Sequence, residues 1–293
     1  MTMKRKNLTD LKEKTVFLNY KNPGTAVITG ASAGLGLSFA NKLAEYGFDL
    51  VLIARRKERL RDIATRLESE YSIQCEIIPA DLALVEDIEK VADSIRQISN
   101  LDILINNAGF ATLGYFADVT IEKDMRMLHV HMTAPIQFTY AALQIMRKRK
   151  QGVIINVSSL GAYILTPGNV LYDATKSFLN TFSENLRAEV QGLGIKIQAL
   201  CPGFVSTEFH EVGDLKNFDK SAVPDSSWMT PESVVSQSLK ALEKNKKTIF
   251  IPGWKKRFTK WLYMNSSLVR YLFQKKIEDI ERSTKARNDN NVP

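Results

Sequence analysis

Short runs of apolar, strand-favouring residues alternate along this chain with longer segments of helical period. The runs are Thr25–Thr29, Asp49–Ala54, Cys75–Pro79, Ile103–Asn106, Val153–Val157, Lys196–Leu200 and Thr248–Ile251. Each is followed by a segment long enough for a helix. Such alternation implies βαβ units, and therefore a parallel sheet with helices on both faces. Right-handed crossovers then favour an α/β, doubly wound sheet of about seven parallel strands. One helix start is explicit: Thr230-Pro231-Glu232 reads as an N-cap, a proline at the first helical position and an acid in the first turn.

No internal repeat and no linker divides residues 22–252, which read as one domain. Residues 208–229 are rich in Asp, Ser, Gly and Pro and carry no strong period. A loop of that length predicts a lid, with a plain surface excursion as the alternative. Residues 253–283 form an amphipathic helical extension, 1–21 a basic N-terminal one, and 284–293 a polar tail expected to be disordered.

Composition adds limits. At 293 residues, 44% hydrophobic and 25% charged, the chain can bury the core of one large domain. No run of about 18 apolar residues is present, and the polar, basic start lacks the apolar region of a secretory signal. Cys75 and Cys201 lie in apolar strand-like runs and read as buried, inert thiols, so a cytoplasmic setting is expected. With only His129, His131 and His210, a histidine-rich metal site is not expected. The formal charge of +8 is uneven: residues 1–21 carry +4, residues 253–287 carry +7, and 22–252 carry −2. A near-neutral body argues against a nucleic-acid-binding core.

Candidate chemistry begins after the first strand, at Thr29-Gly30-Ala31-Ser32-Ala33-Gly34-Leu35-Gly36, with a helical pattern following from Leu37 to Tyr46. Glycines let the backbone turn and approach a pyrophosphate closely, and the helix N-terminus offers free N–H groups to it. After the second strand comes Ala54-Arg55-Arg56-Lys57, with no acid before Glu58. Arginine there suits the 2′-phosphate of NADP better than the bare ribose of NAD. The alternative is that these residues only begin a solvated helix. Tyr172 and Lys176 stand four residues apart, on one helix face. A cation beside a phenol favours the phenolate, so the lysine is expected to lower a tyrosine pKa that starts near 10. Such a pair is a usable acid and base for carbonyl and alcohol chemistry.

Together with Asn106-Asn107-Ala108-Gly109, Ser158-Ser159 and Pro202-Gly203, these motifs resemble the short-chain dehydrogenases/reductases over residues 22–252. The resemblance implies a Rossmann fold and an NADP(H)-dependent oxidoreductase that interconverts a carbonyl and an alcohol. It implies that Ser159, 13 residues before the tyrosine, polarises the substrate oxygen. Tyr172 would transfer the proton, while Lys176 would bind the nicotinamide ribose and depress the tyrosine pKa. Asp81 and Leu82 would touch the adenine, Asn107, Ala108 and Gly109 would line the cofactor channel, and Val205 and Thr207 would hold the carboxamide. A homo-oligomer would be common for the family. One position departs from the pattern: His131, in Val130-His131-Met132-Thr133-Ala134-Pro135, stands where the family usually has a relay asparagine. A histidine can donate and accept, so His131 can hold a relay water and titrate near pH 6.5. The alternative is plain helix packing. The competing function is a cofactor-sensing binding protein of the same fold that performs no chemistry.

In the extension, Trp254, Phe258, Trp261 and Leu262 recur at helical spacing, with Lys255, Lys256 and Lys260 off the stripe. The favoured expectation is that this stripe packs on the protein's own body or roofs a hydrophobic substrate's cleft. Peripheral membrane contact is the alternative.

Overall fold

The computed structural model describes residues 22–275 and 278–279, apart from 165, 217, 245 and 246. The extension 1–21 and the tail 284–293 lie outside the described residues. Seven strands form one parallel sheet: β1 (Thr25–Thr29), β2 (Asp49–Ala54), β3 (Cys75–Pro79), β4 (Leu101–Asn106), β5 (Gly152–Val157), β6 (Ile195–Leu200) and β7 (Ile249–Phe250). Their order is β3-β2-β1-β4-β5-β6-β7. The chain thus reverses its direction of travel between β1 and β4, and in such sheets ligands bind beyond the carboxyl ends of the strands at that point. The doubly wound α/β fold expected from the alternation is the fold observed.

Helices cover both faces. They are α1 (Gly34–Glu45), α2 (Lys57–Tyr71), α3 (Val85–Arg96), α4 (Ile121–Leu128), α5 (Ala134–Arg149), α6 (Val170–Glu189), α7 (Pro231–Glu243) and α8 (Trp254–Asn265). Two cores result. One packs Phe39, Leu43 and Phe48 with Leu60, Leu67 and Leu239. The other packs Ile88, Val91, Ile95, Phe138 and Met146 against Val27, Leu104 and Ile154. Successive residues of β1 feed opposite cores: Ala26 and Ile28 join the first and Val27 the second. That is why the central strands read as continuous apolar runs rather than as alternating ones. The N-cap of α7 forms as expected, with the Ser233 N–H donating to Thr230 Oγ1 at 3.2 Å.

Two local features were not legible. Between α4 and α5 the backbone widens into a π-helical turn, His129–Thr133. The segment after β6 folds into four 3₁₀ turns, Glu208–His210, Gly213–Leu215, Lys220–Ala222 and Asp225–Ser227. A bridge from Val205 to Met229 closes its base. An aromatic cluster of Phe204, His210, Phe218 and Trp228 holds it together, with ring centroids 5.1–6.1 Å apart.

Candidate active site

The glycine turn is built by contact as much as by conformation. Gly30 and Gly34 have φ of +66° and +54°, where a side chain is strained. A Cβ on Gly36 would stand 2.2 Å from the Gly30 carbonyl oxygen and 2.6 Å from Asn107 Nδ2. The start of α1 is therefore pressed onto the turn. Its N-cap position, Ala33, supplies no side chain to satisfy the first N–H groups, which leaves them for a ligand. Leu35 packs against the first core.

Thr29, which sequence reasoning did not single out beyond its place in the motif, ties this turn to the end of β4. Its hydroxyl accepts from the N–H of Asn107 (2.9 Å) and Ala108 (3.0 Å) and donates to the Ile105 carbonyl (3.3 Å). Asn107 Nδ2 returns a bond to the Thr29 carbonyl at 2.8 Å. The His131 ring closes tightly on Gly109, where a Cβ would meet Nε2 at 2.9 Å.

Beside the turn, Arg56 donates from Nε and Nη2 to Ser32 Oγ at 3.3 and 3.0 Å. Glu208, from the first 3₁₀ turn after β6, accepts an ion pair from Arg56 at 2.8 Å and from Arg59 at 2.5 Å. Those two arginines hold the Glu208 carboxyl below its ordinary pKa. Arg55 is exposed and makes no side-chain ion pair or hydrogen bond among the described residues. The organised cation pair is therefore Arg56, at the N-cap of α2, with Arg59 in its first turn, and Arg59 was not anticipated.

Asp81 accepts from Arg126 at 2.8 Å and from the Ala83 N–H at 3.1 Å, while Leu82 is buried in the second core. The Pro202 carbonyl accepts from the Leu160 N–H at 2.9 Å. Gly203 admits the stem of Lys256 and the tip of Leu160 against its backbone. Val205 is buried. The Thr207 methyl lies against Gly34, and its hydroxyl accepts from the Phe209 N–H.

Ser159 leaves the end of β5 and caps a short turn, its Oγ accepting from the Gly161 N–H at 3.0 Å. Ser158 faces the other way and donates to the Lys176 carbonyl at 2.8 Å, a fastener between β5 and α6. Tyr172 and Lys176 sit on one face of α6, with Nζ 5.5 Å from the ring centroid. Ser159 Oγ and the Tyr172 ring both border Gly161, and Ser159 lies close enough to the phenol to favour its charged form, so serine, tyrosine and lysine gather beyond the end of β5.

The electrostatics differ from the expectation. Tyr172 is only partly covered as a residue, yet burial around its hydroxyl pushes its pKa up to about 12, against the lowering effect of the Ser159 bond. Lys176 is buried, its Nζ donates to the Val157 carbonyl at 3.0 Å, and burial pulls its pKa down to about 8. The pair does not depress the phenol here, because desolvation penalises both charges and the ammonium is aimed at a backbone carbonyl rather than at the phenol oxygen.

His131 also departs from expectation. It is 1% exposed. Its Nε2 accepts from the Phe110 N–H at 3.2 Å, and its Nδ1 lies 2.9 Å from Thr175 Oγ1. Thr175 spends its one proton on the Tyr172 carbonyl at 2.8 Å, so it accepts from His131. The bonds therefore assign the neutral Nδ1–H tautomer, with both nitrogens engaged. Burial, and then Lys176, hold its pKa well below the ordinary value, so it does not titrate near pH 6.5. Its edge meets Tyr172 with ring centroids 5.8 Å apart. The π-helical turn delivers the ring to this position, a shift no residue pattern announced.

Beneath the site runs a buried polar ladder. Asn106 donates to Asn156 Oδ1 at 2.8 Å, and Asn156 donates to Ser183 Oγ at 2.9 Å. Cys201 is buried and donates to Asn180 Oδ1 at 3.1 Å; its thiol pKa and that of Cys75 are both pushed up to about 12, mainly by burial. Neither is a reactive thiolate at neutral pH.

Comparison with known proteins agrees with this geometry. The family model for short chain dehydrogenases matches residues 24–215. A very-long-chain 3-oxoacyl-CoA reductase of Anas platyrhynchos is 32% identical over 222 residues, 73% of this chain and 67% of that protein. The very-long-chain 3-oxoacyl-CoA reductase-A of Danio rerio is 34% identical over 191 residues, 64% of this chain but only 60% of that protein. A solved short-chain dehydrogenase from Sphingobium yanoikuyae in complex with NADPH superimposes with a TM-score of 0.74 at 31% identity, covering 80% of this chain and 91% of that one.

Proposed function

We propose, given that this chain belongs to the short-chain dehydrogenase family, that it is an NADP(H)-dependent oxidoreductase interconverting a carbonyl and an alcohol on a hydrophobic substrate. The observation that carries the reading is the convergence of Ser159, Tyr172 and Lys176 beside a glycine turn whose Gly36 leaves no room for a Cβ. The turn and the uncapped start of α1 fit a pyrophosphate. Arg56 and Arg59 fit a 2′-phosphate, which would compete with Glu208 for them.

A nicotinamide cofactor, when bound, would supply the hydride chemistry. Everything else falls to the chain's own residues. Ser159 and Tyr172 hold the substrate oxygen, and Tyr172 exchanges the proton with it. A phenol held protonated by burial is set up to donate, which suits reduction. Lys176, at about 8, is mostly protonated at neutral pH and would hold the nicotinamide ribose. His131 positions the catalytic face: it clamps Phe110 on one side and Thr175, next to Lys176, on the other. The aromatic lining supports an apolar substrate, with Phe209 6.3 Å from Tyr172 and Phe204, Phe218 and Trp228 behind it. The names of the vertebrate relatives make long-chain 3-oxoacyl thioesters the first class to try.

The test is NADPH oxidation against ketones, aldehydes, 3-oxoacyl thioesters and sterols. A positive substrate should lose turnover by about 10²–10⁴-fold in Tyr172→Phe. The same variant should keep the rise in melting temperature that NADPH gives the wild type. Turnover at the wild-type level in that variant would sink the assignment. A chain that binds NADPH yet turns over none of the panel would favour the sensing protein.

A further inference from the structure

Helix α8 is turned inside out relative to an ordinary surface helix. Its inward face carries Tyr263, 2% exposed, together with two lysines. Lys256 Nζ donates to the Ser227 carbonyl at 2.6 Å, and Lys260 Nζ stands 3.5 Å over the Tyr163 ring. Its outward face carries Trp254, Phe258 and Trp261, which are 67, 56 and 58% exposed. The expectation that this stripe packs on the protein's own body is thus overturned for its aromatic residues; Leu262 is half-buried.

The outward stripe does not end with α8. Met264 is exposed beside it, and residues 267–275 form a further helical stretch. That stretch presents Leu268, Tyr271 and Leu272 at 66, 61 and 54% exposure. Phe273 turns inward instead and meets Tyr263 edge-on at 5.9 Å, which anchors the second helix to the first. Seven large apolar side chains on two adjoining helices therefore face away from the domain. A contiguous exposed patch of this kind marks an interaction surface.

Charge identifies the occupant. Residues 254–275 contain six Lys/Arg and no Asp or Glu. Lys255, Arg257, Arg270 and Lys275 are exposed around the apolar stripe. A two-fold dimer through this face would set the same cations against themselves, and like charges opposed across an interface are unfavourable. Anionic lipid headgroups offer the opposite charge, and Trp and Tyr rings favour the boundary between headgroups and acyl chains. Among the described residues no helix is long and apolar enough to cross a membrane, so contact would be along the surface.

We propose that the outward faces of α8 and of residues 267–275 seat the protein on an anionic lipid bilayer, with Trp254, Phe258, Trp261, Leu268, Tyr271 and Leu272 in the interface and the basic residues among the headgroups. The probe is co-sedimentation of the full chain with phosphatidylcholine vesicles, with and without phosphatidylserine. The wild type should partition at least about tenfold more strongly to the anionic vesicles, and the advantage should fall with salt. Its tryptophan emission should shift to the blue on binding. The variant Trp254→Ser/Phe258→Ser/Trp261→Ser should lose about tenfold or more in partition while keeping its NADPH-induced rise in melting temperature. Should that triple variant misfold, Lys255→Glu/Lys275→Glu tests the same face and should lose several-fold. Wild-type chain left in the supernatant with anionic vesicles would overturn the proposal. So would equal sedimentation of a folded triple variant. A wild-type dimer that becomes a monomer in the triple variant, with no vesicle binding by either, would assign the face to a second copy and overturn it as well.

Discussion

His131 and His210 give this fold an acid weakness whose size follows from their surroundings. His131 is sealed between Phe110, Thr175 and Lys176 in its neutral form, and its pKa lies well below the ordinary value. His210 sits among Phe204, Phe209, Phe218 and Trp228, with a pKa brought down to about 4, chiefly by burial and then by Lys220. Above about pH 6.5 both imidazoles are neutral whether the chain is folded or not, so they add no pH dependence there. Below it the unfolded chain takes up protons that the folded sites refuse, and stability falls as pH falls. At a slope of about 1.36 kcal/mol per unit, His210 costs about 2 kcal/mol by about pH 5, and His131 adds a loss of the same sign.

Lys176 and Lys196, both lowered to about 8, are charged in both states throughout this window and add a constant rather than a slope. Asp87 and Glu208, whose pKa values are lowered, lose their contribution only at lower pH, as it falls from the ordinary carboxylate range. Urea unfolding at about pH 7 and about pH 5 should therefore show a loss of more than about 2 kcal/mol in the wild type. His210→Asn should remove about 2 kcal/mol of that pH dependence, and His131→Asn should also make it smaller. The comparison is of the pH difference, so it is separate from the roughly 1–3 kcal/mol that His131→Asn costs at neutral pH by orphaning the Phe110 N–H. A His131→Asn chain with the full wild-type pH dependence would refute the buried, neutral assignment.

Three further outcomes are expected. Replacing Arg56 and Arg59 together by alanine should lower the kcat/KM preference for NADPH over NADH by about tenfold or more, since a phosphate loses two cations; an unchanged ratio would return the role to Arg55. Glu208→Gln should tighten NADPH binding by about two- to fivefold, the worth of surface ion pairs at up to about 1 kcal/mol; titration calorimetry showing weaker binding would mean that Glu208 orders the arginines rather than competes for them. Gly36→Ala should abolish the NADPH-induced rise in melting temperature and cost about 1–3 kcal/mol of stability, because the Gly30 carbonyl 2.2 Å away is backbone and has to move. A Gly36→Ala chain with normal cofactor response would show that the turn yields without loss.

Much of this architecture was legible because its signals are local. β1, β2 and β3 fall where the apolar runs predict them, and the other strands differ by two residues or fewer at either end. Thr230 caps α7 as its neighbours require. The glycine turn and the Tyr172/Lys176 pair were placed by spacing and Ser159 by the family resemblance, and the sheet brings them together beyond the carboxyl ends of its central strands. The π-helical turn at His129–Thr133 was invisible because no composition rule marks the extra width of a helix turn. Glu208 and Arg59 were missed because their pairing joins segments about 150 residues apart, although Arg56 and Arg59 at i, i+3 are a readable clue.

Two of the corrections share one cause. Spacing says which side chains are neighbours on a helix, and it is silent on what surrounds that helix. Tyr172 and Lys176 are neighbours as expected, but the sign of the tyrosine shift is set by desolvation, while the ammonium donates to the Val157 carbonyl, and neither is encoded in a four-residue interval. The aromatic stripe of α8 is real, yet a helical period is the same whether the body lies against the stripe or behind it. Lys256 and Lys260 decide which: both reach inward to defined partners, a carbonyl and a ring, so the aromatic face is left outside. An ammonium half-buried against a carbonyl or a ring keeps favourable company through its stem and its charge, whereas two exposed tryptophans and a phenylalanine gain nothing from water. That inversion would be costly to maintain unless something apolar meets the other side.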